Sequence, residues 1–420
     1  MATSIILVAL FIGVLITFHE FGHLIAAKLS RIPVESFSIG FGPVLIKKKI
    51  GETEYRLSLV PLGGYIKMVG EEKPEDDGFS AKPLGTRIAV VAAGPASNLV
   101  LGFLILVIMF LIFGVKFLAP VVAPLPDSNA QIAGLLPRDI IVKAAGETIP
   151  DFATFTRIAQ VNIGKEIPLI VLREGKLVTL NYQVPTESLD IKPLLLPIID
   201  RVRSNSPAAK LGLKPGDKIV TVAGVEVKEW EDFVNVVMEN GGVKIPITYQ
   251  RGETLFYDSI TPSLQQDAIS NERFGQIGVW LRLPRRSLNL YQAIFEATRR
   301  TVYITGQTFV IIYKVITRKI STRAIGGPIM VAKIAYEGAS WGAEYFLALW
   351  ALLSINLFVV NMLPIPVLDG GRILLDLVGG VRRRRLSEKE YAWASNIGWV
   401  LIGILIIFTI LNDIIRLIQK

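Results

Sequence analysis

Cysteine is absent from the 420 residues, so neither a disulfide framework nor a thiolate metal site can form. Charge is scarce: Asp, Glu, Lys and Arg make up 19% of the chain against 51% hydrophobic residues, and the mean hydropathy is +0.49. That balance excludes an ordinary soluble enzyme of this length. Histidine is rarer still. The chain has two, and both lie in one five-residue stretch, His19-Glu20-Phe21-Gly22-His23.

Four uncharged or nearly uncharged apolar stretches are long enough to cross a bilayer: Ser4–Ala27, Ser97–Val115, Tyr345–Leu368 and Tyr391–Asn412. The first lacks the basic flank of a secretory signal peptide, and cleavage after it would discard the histidines. The net charge of +9 comes from 45 basic and 36 acidic residues. It follows membrane topology rather than nucleic-acid binding, for which no aromatic–basic motif is present. Ten Lys or Arg fall in Lys28–Arg87, and Arg372, Arg382–Arg385 and Lys389 follow the third stretch. The positive-inside rule puts both loops in the cytoplasm and both termini outside. The long region from Ala119 to Glu344 then faces the exterior compartment.

Val34–Gly70 reads as strand. Phe37, Ile39 and Phe41 alternate, Lys49-Ile50-Gly51-Glu52 suits a turn, and Tyr55, Leu57 and Leu59 alternate with polar residues. Gly63-Gly64 then precedes Tyr65-Ile66-Lys67-Met68. A small antiparallel sheet at the cytoplasmic end of the first span is expected, followed by an acidic loop, Glu71–Phe79. The middle region contains a repeat at an offset of 78. Gly134 matches Gly212, Asp139 matches Asp217, Gly146 matches Gly224 and Arg173 matches Arg251. A repeat of this length means two copies of one domain. The string from Ser206 to Gly224 resembles a bacterial PDZ domain, a module that takes a peptide as an added strand or serves as a spacer or size filter. Leu288–Ile316 has too short an uncharged core to span, so an interfacial amphipathic helix is expected there.

On a helix, residues four apart share a face, so His19 and His23 can offer two imidazole nitrogens to one metal ion. Glu20 stands beside them, placed to take a proton from the attacking water. Ionisable residues inside a membrane helix are costly and usually functional. The third span ends in Asn361-Met362-Leu363-Pro364-Ile365-Pro366-Val367-Leu368-Asp369-Gly370-Gly371. The prolines stop the helix, and the glycines suggest a tight turn that holds Asp369 at the membrane face. The first and third spans both run from outside to inside, which brings Asp369 to the depth of the histidines. Two histidines and a carboxylate, with a fourth position for water, make a catalytic zinc set. A scaffold would leave these residues idle, and a metal transporter would spread its ligands along a path.

His19–His23 on the first span, Gly94-Pro95-Ala96-Ser97-Asn98 opening the second, the paired repeat and the Asn361–Gly371 string together resemble the site-2 protease family over essentially the whole chain. The resemblance implies zinc-dependent intramembrane proteolysis in the bacterial inner membrane. Its substrates would be single-span proteins, either anti-sigma factors already trimmed on the outer side or remnant signal peptides. A helical substrate must unwind before attack, and its freed backbone needs new hydrogen-bond partners. Gly63, Gly64, Tyr65, Ile66, Lys67 and Met68 can supply them by strand addition. Asn356 and Asn361, on the face leading to Asp369, are further candidates for holding substrate, while Asn98 is expected to be structural.

The expected fold is a polytopic α-helical membrane protein with four transmembrane helices, a small membrane-associated β-sheet and two tandem PDZ domains. Its domains are the first span with the histidines (1–30), the β region and loop (31–93) and the second span (94–118). The PDZ copies follow (119–190 and 191–285), then the interfacial helix and connector (286–340). The third span (341–372), a basic loop (373–390) and the fourth span with its tail (391–420) complete the chain. The expected cofactor is Zn2+, and the partners are the lipid bilayer and a membrane-embedded substrate.

Overall fold

A computed structural model of the chain describes residues 2–418, apart from 72–76, 267–271, 318, 320–326, 328–329, 332–333, 335–340, 383 and 385. Most of the expected connector after residue 317, part of the acidic loop, and Arg383 and Arg385 of the basic run therefore lie outside the described residues. Two compact units are present, one formed by 1–113 with 288–420 and the other by 114–287.

The first unit is helical. Helix α1 (Ala2–Leu29) leads into strands β1 (Val34–Ile50) and β2 (Thr53–Met68), and α2 follows (Leu84–Phe113). After the second unit come α3 (Leu290–Ile316), α4 (Ala343–Asn361), α5 (Asp369–Val381) and α6 (Glu388–Ile418). Among the described residues, four helices hold segments long and apolar enough to cross a membrane: Ile12–Leu29, Leu84–Phe113, Ala343–Asn361 and Lys389–Ile414. These are the four stretches the hydropathy marks.

Two local expectations are corrected. Gly94–Asn98 does not open α2. The helix starts ten residues earlier, at Leu84, and carries Pro95 in its interior. The early start is useful: Arg87 in the added turns reaches Asp376 of α5 at 3.2 Å. Gly370-Gly371 does not form a turn either. Asp369 is the first residue of α5, and both glycines are buried in that helix. A Cβ on Gly370 would sit 2.3 Å from the Met362 carbonyl oxygen, and one on Gly371 2.0 Å from that of Ile365. Their smallness lets α5 fold back against the Pro364–Pro366 segment. Helix α3 forms over the segment expected to be an amphipathic helix. Its buried residues Ala293, Ala297, Thr301 and Ile304 belong to a face that packs on α2 and α4.

The strands form one curved sheet. Gly51–Glu52 closes the hairpin, and Ile46–Ile50 pairs with Thr53–Leu57. Ser36–Ile39 then lies between Glu54–Leu57 on one side and Gly64–Lys67 on the other. Gly64–Lys67 is thereby left at the margin of the sheet. The inner face of the sheet joins a core of Leu24, Ala27, Val34, Phe37, Met68, Phe79, Val90 and Val91, which ties it to α1 and α2.

The second unit contains the repeat, and the copies match in atomic detail. Arg173 donates to Asp139 from Nε at 2.9 Å and to the Gly134 carbonyl at 2.7 Å. Arg251 repeats this on Asp217 at 2.7 Å and on Gly212 at 2.8 Å. Gly134 and Gly212 have φ of 83° and 84°, a left-handed conformation that favours glycine. Each copy has its own core, one around Phe155, Leu169 and Tyr182, the other around Phe233, Ile219 and Ile247. In each, a late strand closes on the opening strand: Ile191–Pro193 on Val121–Pro124, and Val279–Leu281 on Ile199–Val202. Burial and the hydrogen bond to Asp190 push the Tyr182 hydroxyl far above its usual pKa, so it stays a donor at any physiological pH.

Candidate active site

Helix α1 carries His19 and His23 one turn apart, and both are buried at 8% and 7% exposure. Two glycines, one on each helix, make room for them. Gly22 packs so closely that a Cβ would lie 2.2 Å from the Ala93 carbonyl oxygen, and a Cβ on Gly94 would lie 2.1 Å from His23 Nε2. The interhelical approach is fastened by Ser97, whose hydroxyl reaches the Phe18 carbonyl at 2.6 Å.

Asp369 arrives from the other end of the sequence. Its Oδ2 lies 3.0 Å from His19 Nε2 and its Oδ1 3.6 Å from His23 Nε2, while the two Nε2 atoms are 3.3 Å apart. Tetrahedral zinc with bonds of roughly 2.0–2.1 Å to nitrogen and oxygen separates its ligand atoms by roughly 3.3 Å. The three donors lie within a few tenths of an ångström of that spacing, with the two histidines facing different oxygens of the Asp369 carboxylate. Helix α5 is anchored for this task by Arg87–Asp376 and by Arg372, which pairs with Glu71 and lies 4.6 Å over the Phe79 ring. Among the described residues this is the cluster of His and acidic groups able to hold a metal.

Glu20 is not part of that triad. Its carboxylate lies near the backbone N–H of Ile66, at the margin of the sheet. Gly64 lies beside it as well, where a Cβ would contact Glu20 Cγ at 3.6 Å and the Ser38 carbonyl oxygen at 2.5 Å. Of the remaining strand residues, Gly63 has φ 150° and packs on the Phe41 ring. Tyr65 accepts from Arg56 at 2.9 Å, Lys67 pairs with Glu35 at 2.7 Å, and the Met68 N–H donates to Glu71 at 3.2 Å.

The two third-span asparagines are placed differently, and only Asn361 is brought to the site. Asn361 Nδ2 is 3.4 Å from His19 Nδ1. Asn356 stands one turn and a residue away and accepts the Thr308 hydroxyl of α3 at 2.7 Å. Sequence reasoning missed Asn98. It is wholly buried, with Nδ2 3.2 Å from His19 Nδ1. The signal was available: Gly94 and Asn98 are four apart in an otherwise apolar helix, so they share the face that Gly94 turns to His23.

Two imidazoles, one carboxylate ligand and a second carboxylate free beside them form the donor set of a metal-dependent hydrolase. The comparisons agree. The chain belongs to peptidase family M50, whose family description matches residues 7–405, and it is a metalloprotease of the site-2 type. It is similar to the regulator of sigma E protease of Salmonella typhimurium, at 32% identity over 97% of each chain. It is also similar to the regulator of sigma-E protease of Escherichia coli, at 33% over 97% of each. A putative zinc metalloprotease of Neisseria meningitidis is 31% identical over 96% of this chain and 97% of its own. Among solved structures, the PDZ domain of an SdrC-like protein from Listeria monocytogenes aligns with 20% of this chain and 84% of its own, at 23% identity and a TM-score of 0.17.

Proposed function

We propose that the protein is a zinc-dependent intramembrane endoprotease that cleaves single-span membrane proteins during regulated proteolysis. The observation that carries this reading is the convergence of His19, His23 and Asp369 on helices long and apolar enough for a bilayer, with Glu20 alongside. In this reading His19, His23 and Asp369 hold the zinc. When bound, the metal acidifies water and polarises a scissile carbonyl. Glu20 takes the proton from the attacking water at its carboxylate and returns it to the leaving amine. Its carboxylate lies near the Ile66 N–H and Gly64, at the margin of the sheet.

The substrate helix must open, and its freed N–H and C=O groups must be paired again within the membrane. Gly63–Met68 lies at the sheet margin beside Glu20, which suits a substrate taken up as an added strand. Asn361 flanks the other side. Asn356 takes part once its bond with Thr308 is exchanged for substrate backbone. The repeat unit acts as two tandem PDZ domains, 119–190 and 191–285, facing the periplasm with both termini. The basic loops and the active site lie toward the cytoplasmic leaflet of the inner membrane. Relatives named as regulators of sigma-E protease support a part in sigma-E regulation. In this reading the substrates are anti-sigma factors trimmed on the outer side beforehand, in the envelope stress response. Remnant signal peptides share the same single-span form.

The test is reconstitution in lipid vesicles with a single-span substrate, with and without a chelator, and mapping of the products. Cleavage within the membrane segment that stops with chelator and returns with zinc is expected. Cleavage that ignores the chelator, or that falls only in soluble regions, would sink the proposal.

A further inference from the structure

His19 presents Nε2 to His23 and Asp369, at 3.3 and 3.0 Å. A neutral imidazole that gives the Nε2 lone pair to a metal must carry its proton on Nδ1, and that N–H needs an acceptor. Two groups face Nδ1, and both are amide nitrogens: Asn98 Nδ2 at 3.2 Å and Asn361 Nδ2 at 3.4 Å. Two amide donors cannot satisfy a third donor. The oxygen and nitrogen of an asparagine amide exchange places by a half-turn with almost no change of shape. In its present orientation Asn98 Oδ1 is buried without a hydrogen-bond partner. The half-turn gives that oxygen a partner and His19 an acceptor.

We propose that Asn98 is a positioning residue for His19, its amide oxygen accepting the Nδ1–H so that Nε2 is fixed as the metal-facing nitrogen. The proposal rests on the zinc reading above. The neighbouring histidine is held in a like manner, since His23 Nδ1 lies 2.8 Å from the Val90 carbonyl oxygen, an acceptor that no rotation can remove. Helix α2 thus supplies an acceptor to each imidazole, from its backbone for one and from a side chain for the other. Asn98 is well placed to be rigid. It is fully buried, and its own carbonyl accepts the Ser354 hydroxyl of α4 at 2.7 Å, which pins this turn of α2 between α1 and α4. Asn361, partly exposed and at the end of α4, is the less confined of the two amides.

The experiment measures zinc affinity of the purified full-length protein by competition with a chromogenic chelator. Asn98→Leu removes the acceptor at similar volume, Asn98→Asp keeps an oxygen facing Nδ1, and His19→Ala marks the loss of a ligand. Removing such an outer partner weakens metal binding by about 10- to 100-fold, and that is expected of Asn98→Leu, while Asn98→Asp stays within about threefold of the parent. The visible spectrum of the cobalt-loaded protein should change in Asn98→Leu and not in Asn98→Asp. Parental affinity in Asn98→Leu, or equal weakening in both variants, would overturn the proposal and leave Asn98 a packing group. Should Asn98→Leu not fold, Asn98→Ala is read in the same way. A parent protein that binds no zinc would instead overturn the metal reading itself, which the His19→Ala comparison separates from the other outcomes.

Discussion

The carboxylate of Glu20 lies beside the backbone N–H of Ile66, so the carboxylate next to the histidines and the margin of the sheet meet at one place. Gly64 comes as close, since a Cβ there would lie 3.6 Å from Glu20 Cγ.

Proline at Ile66 removes that N–H. Ile66→Pro is expected to lower turnover at least about tenfold while zinc content holds, since the ligands lie on helices and not on the strand. Ile66→Val should be nearly silent. Equal turnover in the proline variant, measured with a metal-replete enzyme, would show that neither the Ile66 N–H near Glu20 nor strand addition at this edge matters.

Glu20→Gln keeps the volume and loses the base. Turnover should fall by about a thousandfold, within the range for a general acid–base, with zinc retained. Single-turnover kinetics together with metal analysis check this. A loss of zinc would make Glu20 a ligand instead.

Removing a ligand should have the opposite signature. Asp369→Ala and His23→Ala are expected to lose zinc and activity together, and added zinc should not restore either. Full zinc retention by Asp369→Ala, by elemental analysis, would remove Asp369 from the set.

Gly94→Ala tests packing rather than chemistry. The new methyl would lie 2.1 Å from His23 Nε2, so the imidazole must leave its place. Zinc affinity is expected to fall at least about tenfold even though no ligand has been changed. Gly85→Ala is the control, because a Cβ there meets nothing within 4 Å.

In the second unit, Asp217 is wholly buried and paired with Arg251, whose side chain is one-third exposed. Arg251→Met leaves that carboxylate without its partner and is expected to destabilise this copy by about 2–3 kcal/mol, toward the low end for a buried pair. Faster limited proteolysis within 191–285 reads the effect. An unchanged rate would mean that water replaces the guanidinium.

The sequence alone determined a good deal of this protein. Apolar length marked the four helices, because a bilayer-spanning helix needs an unbroken run whatever surrounds it. The spacing of His19 and His23 put them on one face, because helical geometry is local. The repeat, down to Asp139–Arg173 and Asp217–Arg251, was legible because both copies keep the same pairs at the same offset. The rest was decided by tertiary structure. His19 and Asp369 are 350 positions apart, and no local pattern measures the distance between them. Gly370 and Gly371 looked like a turn, yet they serve the close return of α5 onto the Pro364–Pro366 segment, because a glycine reports permissiveness without saying what is near. Asn98 looked like an inert polar residue in a span until the fold set it against His19 Nδ1. A side chain's role depends on which partner the packing brings to it, and that information lies in contacts between distant segments.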